Sequence, residues 1–333
     1  MRRLILLLFA FAGAGCSAYQ ATPMTPTGTT AAAAAAAGAA KQKVYWALFA
    51  AQPQPQLEIA AEPLTKKSHV QLINGSSGNM LQEASSIRFS QNFAWVLTQP
   101  DGSSAPSVLL IFSLPLTPSS KPLYYDTLEG ALVGVHIQFD KHNNLWASAG
   151  GNNSVYEYSG DLLQQGGDLT PSLTLTAGLN GPQGLAFDPN GNLYIANGSD
   201  NDVAVFAQPI ENKQPYYLDG INGPGGLAFD AHGNLYAASN NGATGAMAQY
   251  ASGHLRSGDK PSVVDSTGIK ANPYGSDLAF DHAGNLYDGD CGGTAGIYAY
   301  PLAGKKFSSK LAPAFYTNKG ILSVGCVWGL AIH

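Results

Sequence analysis

The sequence predicts an all-β fold, a six-bladed β-propeller of four-stranded antiparallel blades whose last blade is closed by N- and C-terminal strands. Three observations predict it. An eleven-residue stretch is written three times, as GLAFDPNGNLY at 184–194, GLAFDAHGNLY at 226–236 and DLAFDHAGNLY at 277–287. Weaker copies extend the series to five, at a period of roughly 40–50 residues. The chain ends on a partial copy, and the strands missing from that copy can be found near its other end.

Within each copy, Gly-Leu-Ala-Phe is a short apolar strand, Asp-x-x-Gly-Asn a hairpin turn, and Leu-Tyr the start of a returning strand. Gly191, Gly233 and Gly284 supply a positive φ without steric strain. The Asp before each turn is placed to accept backbone N–H groups of the loop. The weaker copy VHIQFDKHNNLW at 135–146 has Asn143 at the glycine position, and Asn is among the few other residues that tolerate positive φ. The copy SIRFSQNFAWVL at 86–97 has a turn one residue shorter. The anchor aromatics Phe89, Phe139, Phe187, Phe229 and Phe280 are spaced by 50, 48, 42 and 51 residues. In the terminal VWGLAIH, Gly329–Ile332 repeats the first strand.

Residues 43–50 then resemble a returning strand, 56–62 a third strand and 69–73 a fourth. Each full repeat holds four strands, for example 184–188, 192–197, 202–207 and 215–218. Four antiparallel strands per period describe a propeller blade. A blade shared between the two ends pins the ring shut and removes free edges.

Three segments follow: 1–15, 16–42 and 43–333. MRRLILLLFAFAGAGCSAYQ carries Arg2 and Arg3, an apolar run over Leu4–Ala12, and small residues ending in Cys16. That is a secretory signal, too short to span a bilayer. It resembles a bacterial lipoprotein signal, cleaved before a cysteine that receives the lipid. Gly15 and Ser17 fit that pattern, whereas Gly13 stands where Leu is usual. The competing reading is ordinary secretion, with cleavage after residues 12–14. The lipoprotein reading places the protein in the cell envelope, on the outer membrane or periplasmic side, with the membrane as a partner. Residues 17–42 are rich in Ala, Thr and Pro and form a tether. Of three cysteines, Cys291 and Cys326 remain after lipidation, and in an oxidising compartment they form a candidate disulfide across neighbouring blades. Without Arg2 and Arg3 the chain has 15 basic and 22 acidic residues and no basic run, which argues against nucleic acid. At 12% charged and 45% hydrophobic residues it has enough apolar content to bury a core.

The repeat resembles the NHL family of six-bladed propellers, through its Gly-x-Ala-Phe-Asp strand and Gly-Asn-Leu-Tyr return. The resemblance covers about 43–333 and is strongest at 181–300. It implies a fold that hosts lyases, gluconolactonase-type lactonases and binding scaffolds, and it does not choose among them. It also implies that first strands line the axis, and that ligands meet the rim formed by loops entering the first strand and loops joining strands two and three.

Three residues before each anchor stand Ser86, His136, Gly184, Gly226, Asp277 and Gly329. Glycine fits crowding at the axis. His136 and Asp277 break the pattern on opposite blades. With Asp290 they could ligate a divalent cation or act as acid and base. The alternative makes both polar lining of a water-filled axis, each bonded locally. Asn197, Asn240, Asp288 and Asp290 fall in loops facing the expected rim, and Tyr274 and Trp328 add aromatic surface there. His142, His232 and His282 fall in the turns of the opposite rim. The reading that follows is a lipid-anchored extracytoplasmic binding module for a small molecule, glycan or envelope protein. A metal-dependent, lactonase-like hydrolase or lyase is the first alternative, and an envelope scaffold or adhesion protein the second. No cofactor beyond that cation is indicated.

Overall fold

A computed structural model describes residues 43–49, 56–61, 70–73, 84–99, 105–239, 246–265, 277–290, 296–302, 305–309, 314–316 and 326–333. The signal, Cys16 and the tether lie outside them. Among the described residues no helix is long and apolar enough to cross a membrane.

The chain is a β-propeller. Strands β1 (Lys43–Phe49), β2 (Gln56–Ala61) and β3 (Val70–Ile73) come first. The next repeat supplies β4 (Ala84–Ser90), β5 (Phe93–Thr98), β6 (Pro106–Ser113) and β7 (Tyr124–Leu132). It is followed by β8 (Gly134–Phe139), β9 (Leu145–Ala149), β10 (Ser154–Tyr158), β11 (Gly167–Leu169) and β12 (Leu173–Leu175). Then come β13 (Pro182–Phe187), β14 (Leu193–Asn197), β15 (Asp202–Phe206) and β16 (Tyr216–Leu218). They lead into β17 (Pro224–Phe229), β18 (Leu235–Ser239), β19 (Ala246–Tyr250) and β20 (Val263–Asp265). The last are β21 (Leu278–Phe280), β22 (Leu286–Asp290), β23 (Gly296–Tyr300), β24 (Ala314–Tyr316) and β25 (Cys326–Ile332).

These strands form six sheets, five of them four-stranded and one five-stranded. The sheet β25-β1-β2-β3 joins the two ends of the domain. Its junction runs antiparallel from Val44 opposite Ile332 to Phe49 opposite Cys326. Beyond it, the Lys43 N–H donates to the His333 carbonyl at 2.8 Å and the His333 N–H returns the bond at 3.0 Å.

The five-stranded sheet departs from the four-strand expectation. Strand β11 leaves its own repeat and pairs in parallel with β7, Gly167 opposite Asp126 and Leu169 opposite Leu128. The buried Asp126 carboxylate holds the approach to it, accepting N–H bonds from Gln164 and Gly166 at 3.3 and 3.0 Å. Leu163 and Leu169 are buried with Leu128 and Tyr158. This covers the outer edge of that sheet, which would otherwise present open backbone groups.

The repeated motif is explained by packing between sheets. In four repeats an aromatic near the start of the second strand meets the anchor phenylalanine of the next repeat edge to face. Trp95 meets Phe139, Trp146 meets Phe187, Tyr194 meets Phe229 and Tyr236 meets Phe280, with ring centroids 5.1, 5.9, 5.0 and 5.2 Å apart. Aromatic pairs prefer this geometry because a ring's positive edge meets a negative face. Each apolar cluster is built by two neighbouring sheets, and the clusters follow one another around the ring back to the first.

The turns follow their sequence. Gly191, Gly233 and Gly284 have φ of 88°, 78° and 86°, and Asn143 takes the same conformation at 63°. Asp140, Asp188 and Asp230 each accept backbone N–H bonds from residues two and four positions on. Asp281 accepts that of Asn285. The shorter turn has positive φ at both Gln91 and Asn92, as a two-residue hairpin requires.

Asn143→Ala is expected to lower stability by about 1 kcal/mol in chemical denaturation, and Asn143→Gly to leave it within a few tenths of wild type. Gly329→Ala is expected to cost more, about 1–3 kcal/mol, because the new methyl would lie 2.7 Å from Ser86 Cα and 3.0 Å from Ile87 N.

Candidate functional site

Side chains two apart on a strand share a face. The innermost strands therefore turn two layers of residues to the axis. One layer is the set Ser86, His136, Gly184, Gly226, Asp277 and Gly329. The other, two positions on, is Arg88, Gln138, Ala186, Ala228, Ala279 and Ala331. In the first layer the strands nearly touch. A Cβ on Gly184 would run into the Gly225 carbonyl oxygen, and one on Gly329 into the Ser86 backbone. Glycine is required there by close approach.

His136 and Asp277 do meet across the axis, with Nδ1 and Oδ1 3.7 Å apart and both residues fully buried. That distance is too long for a hydrogen bond. Asp277 is bound instead by Arg88, which the sequence reading missed. Arg88 donates from Nη1 to Oδ2 at 2.7 Å and from Nη2 to Oδ1 at 2.8 Å. The Leu278 N–H donates to Oδ1 and the Leu330 N–H to Oδ2, both at 2.9 Å. Arg88 Nη1 also donates to the carbonyls of Ile87 and Leu330. Burial pushes the Asp277 carboxyl up, but Arg88, His136 and the Leu330 N–H together hold it below the ordinary carboxylate range.

Burial drives His136 the other way, down to about 4, against Asp277, which raises it; the Arg88 charge lowers it further. Its imidazole is neutral at pH 7, and the contact with Asp277 is then no salt bridge. Neither ring nitrogen has a hydrogen-bond partner among the described residues. The expected water-filled axis is thus corrected: at this level an ion pair and a buried imidazole plug it. The metal reading requires Asp277 as a ligand. All four lone-pair positions of Asp277 are occupied, and among the described residues no three His, Cys, Asp or Glu side chains are placed to hold a metal.

Above the plug, in the second layer, lies a cavity of about 390 Å³. Its wall comprises Arg88, Gln138, the four alanines and the rims of anchor residues such as Phe187, Phe229 and Phe280. These are the last residues of the inner strands, just before the first hairpins. The cavity therefore sits toward the end of the axis opposite the expected rim. His142, His232 and His282 are exposed in those hairpins, on separate repeats.

The rim residues fare differently. Asn197 is fully buried at the end of β14, where Oδ1 accepts the Asn180 N–H at 2.6 Å and Nδ2 donates to Asp202 Oδ1 at 3.0 Å. It closes a loop. Asp288 and Asp290 were expected in a rim loop, yet both are strand residues of β22, opposite Tyr298 and Gly296, and are only 2% exposed. The ladder overrides the turn character of Asp-Gly-Asp. Burial, with the nearby charges of Asp290 and Asp277, pushes the Asp288 carboxyl well up. Its Oδ1 has no hydrogen-bond partner among the described residues. Trp328 belongs to β25 itself and is half-buried. Asn240, Tyr274, Cys291 and the side chain of Cys326 lie outside the described residues, and with them the disulfide.

No protein-family model and no curated protein matches the sequence. Solved structures do. A Bacteroides fragilis protein provisionally assigned as a 6-phosphogluconolactonase aligns over 84% of this chain and 82% of its own, at 13% identity and a TM-score of 0.57. A Bacteroides caccae protein of unknown function aligns over 88% and 99%, at 12% identity and a TM-score of 0.58. Virginiamycin B lyase from Staphylococcus aureus aligns over 71% and 70%, at 12% identity and a TM-score of 0.46. At such identities the likeness to the two Bacteroides proteins establishes the fold alone.

Arg88→Ala leaves Asp277 charged and buried without its main partner, and is expected to cost about 3–5 kcal/mol in denaturant unfolding. The double variant with Asp277→Ala should recover part of that loss. The pH profile carries opposed contributions, among them those of His136 and Asp288. His136 is depressed in the fold, so stability is lost as pH falls from 6.5 toward 4, on the order of 3 kcal/mol in full. Asp288 is raised, so its contribution is present below the unfolded carboxylate value and is lost as pH rises through the folded one. Thermal unfolding across pH should show Asp288→Asn gaining on wild type as pH increases. His136→Gln should flatten the acid limb.

Proposed function

We propose that this chain is an NHL-like, six-bladed β-propeller acting as a ligand-binding module, held in the cell envelope by lipid on Cys16. The observation that carries the binding reading is the axial cavity of about 390 Å³, a size typical of small-molecule sites. The six sheets support the blade count, with apolar clusters following one another around the ring. The sharing of one sheet between the chain's two ends fits the same reading. The signal-like N-terminus supports the address, and Cys291 with Cys326 is the proposed disulfide. The lactonase-like alternative draws only on fold neighbours. Its chemistry was assigned to Asp277, whose oxygens are already engaged by Arg88 and two backbone N–H groups.

A thermal-shift screen of a diverse fragment library should find compounds that raise the melting temperature of the wild-type chain and not of Ala228→Leu, whose added bulk fills the cavity. A library without any such cavity-dependent compound sinks the binding reading. Labelling with a palmitate analogue should mark the wild-type chain and not Cys16→Ser; equal labelling of both removes the anchor.

A further inference from the structure

The axial cavity has polar side chains on one wall only. Strands β4 and β8 are neighbours in the ring and bring Arg88 and Gln138 to that wall. The equivalent residue on each of the other four inner strands is alanine. Arg88 has five N–H donors. Its two Nη1 hydrogens are shared among Asp277 and the Ile87 and Leu330 carbonyls, and one Nη2 hydrogen goes to Asp277. The Nε–H and the second Nη2–H, which together form the side edge of the guanidinium, have no partner among the described residues. Gln138 uses its Oε1 to accept the Phe139 N–H at 3.1 Å, and its amide nitrogen likewise has no partner among the described residues. The Arg88 side chain is 11% exposed and lines the cavity, whereas its partner Asp277 is sealed beneath at 1%.

This wall offers donors in a fixed fork, and a planar two-oxygen acceptor matches such a fork. Charge narrows the choice. Arg88 and Asp277 cancel, and the imidazole beneath is neutral, so every negative charge a ligand brings is unbalanced, and one charge set on the free edge of the guanidinium costs less than two. The alanines and phenylalanine rims opposite favour an apolar body.

We propose that the axial cavity binds a small organic monocarboxylate, its two oxygens on the free side edge of Arg88 and beside the Gln138 amide, its apolar body against the alanine wall. Arg88 then bridges two carboxylates, the ligand's and that of Asp277. The assignment rests on the reading of this cavity as the ligand site.

The test is titration of the full chain with benzoate by calorimetry, beside benzamide, benzylamine and inorganic phosphate. Benzoate is expected to bind at least tenfold tighter than each comparator. Gln138→Ala should weaken it about fivefold, the scale of one hydrogen bond. Arg88→Lys keeps a charge on Asp277 but loses the planar fork, and should weaken benzoate more than benzamide. Ala228→Leu leaves the ion pair intact and should abolish binding. Comparators that bind as tightly as benzoate, with all binding lost in Ala228→Leu, overturn the carboxylate preference and keep the axial site. Benzoate binding unchanged in Ala228→Leu overturns the site itself. No binding of any probe to protein shown folded by circular dichroism overturns both.

Discussion

The pairing of β1 with β25 is the constraint on which the remainder of the ring depends. Each sheet buries its two faces against its neighbours, and no sheet has a complete core of its own. The sheet that β1 and β25 share contributes to two apolar clusters, one with Ile87 and Leu110 and one with Tyr287 and Ile297. Separating those two strands would expose both clusters together. It would also release Leu330, whose N–H and carbonyl both contact the Asp277–Arg88 pair. Chain closure and the chemistry at the axis are therefore one linked feature.

Closure also fixes what the axis can hold. Six inner strands converging on one line leave little room for side chains at the tightest level, and Gly184 and Gly329 approach their neighbours backbone to backbone. Where a larger side chain does occupy that level, it must be buried, and its polar atoms need partners. Asp277 has them from three strands. Among the described residues His136 is bonded only through its backbone, its N–H donating to Ser148 Oγ at 3.0 Å and its carbonyl accepting the Ser148 hydroxyl at 3.4 Å, and burial keeps its ring uncharged. One level on, the strands stand further apart, and the small side chains of Ala186, Ala228, Ala279 and Ala331 leave a cavity between them.

Local pattern made much of this legible. The turn glycines, Asn143 in their place, the anchor phenylalanines and the shared sheet could all be read from the chain, because each depends on neighbours in sequence or on the repeat period. The meeting of His136 and Asp277 followed from their places three repeats apart along the chain. Arg88 did not, because it sits one position before an anchor where the other copies have small or amide residues, and its reach to Asp277 spans 189 residues of sequence. Comparing that one column across the repeats would have marked it, since Arg88 and Gln138 stand against four alanines. Asp288 and Asp290 were misplaced because Asp-Gly-Asp has the chemistry of a turn, and only the ladder to β23 shows that it is extended. Strand β11 has no repeat counterpart, so periodicity gave no signal for it.

That strand makes the ring's hereditary units and its physical units fall out of step. By sequence the segment around Gly167–Leu169 belongs to the repeat that begins at β8; by hydrogen bonding it belongs to the preceding sheet. At this boundary a cut along the repeat would carry off the strap that covers its neighbour, leaving Asp126 buried without the Gln164 and Gly166 donors. The strap thus makes the two repeats one physical unit: without the second, the first has an uncovered edge and a buried carboxylate short of its donors.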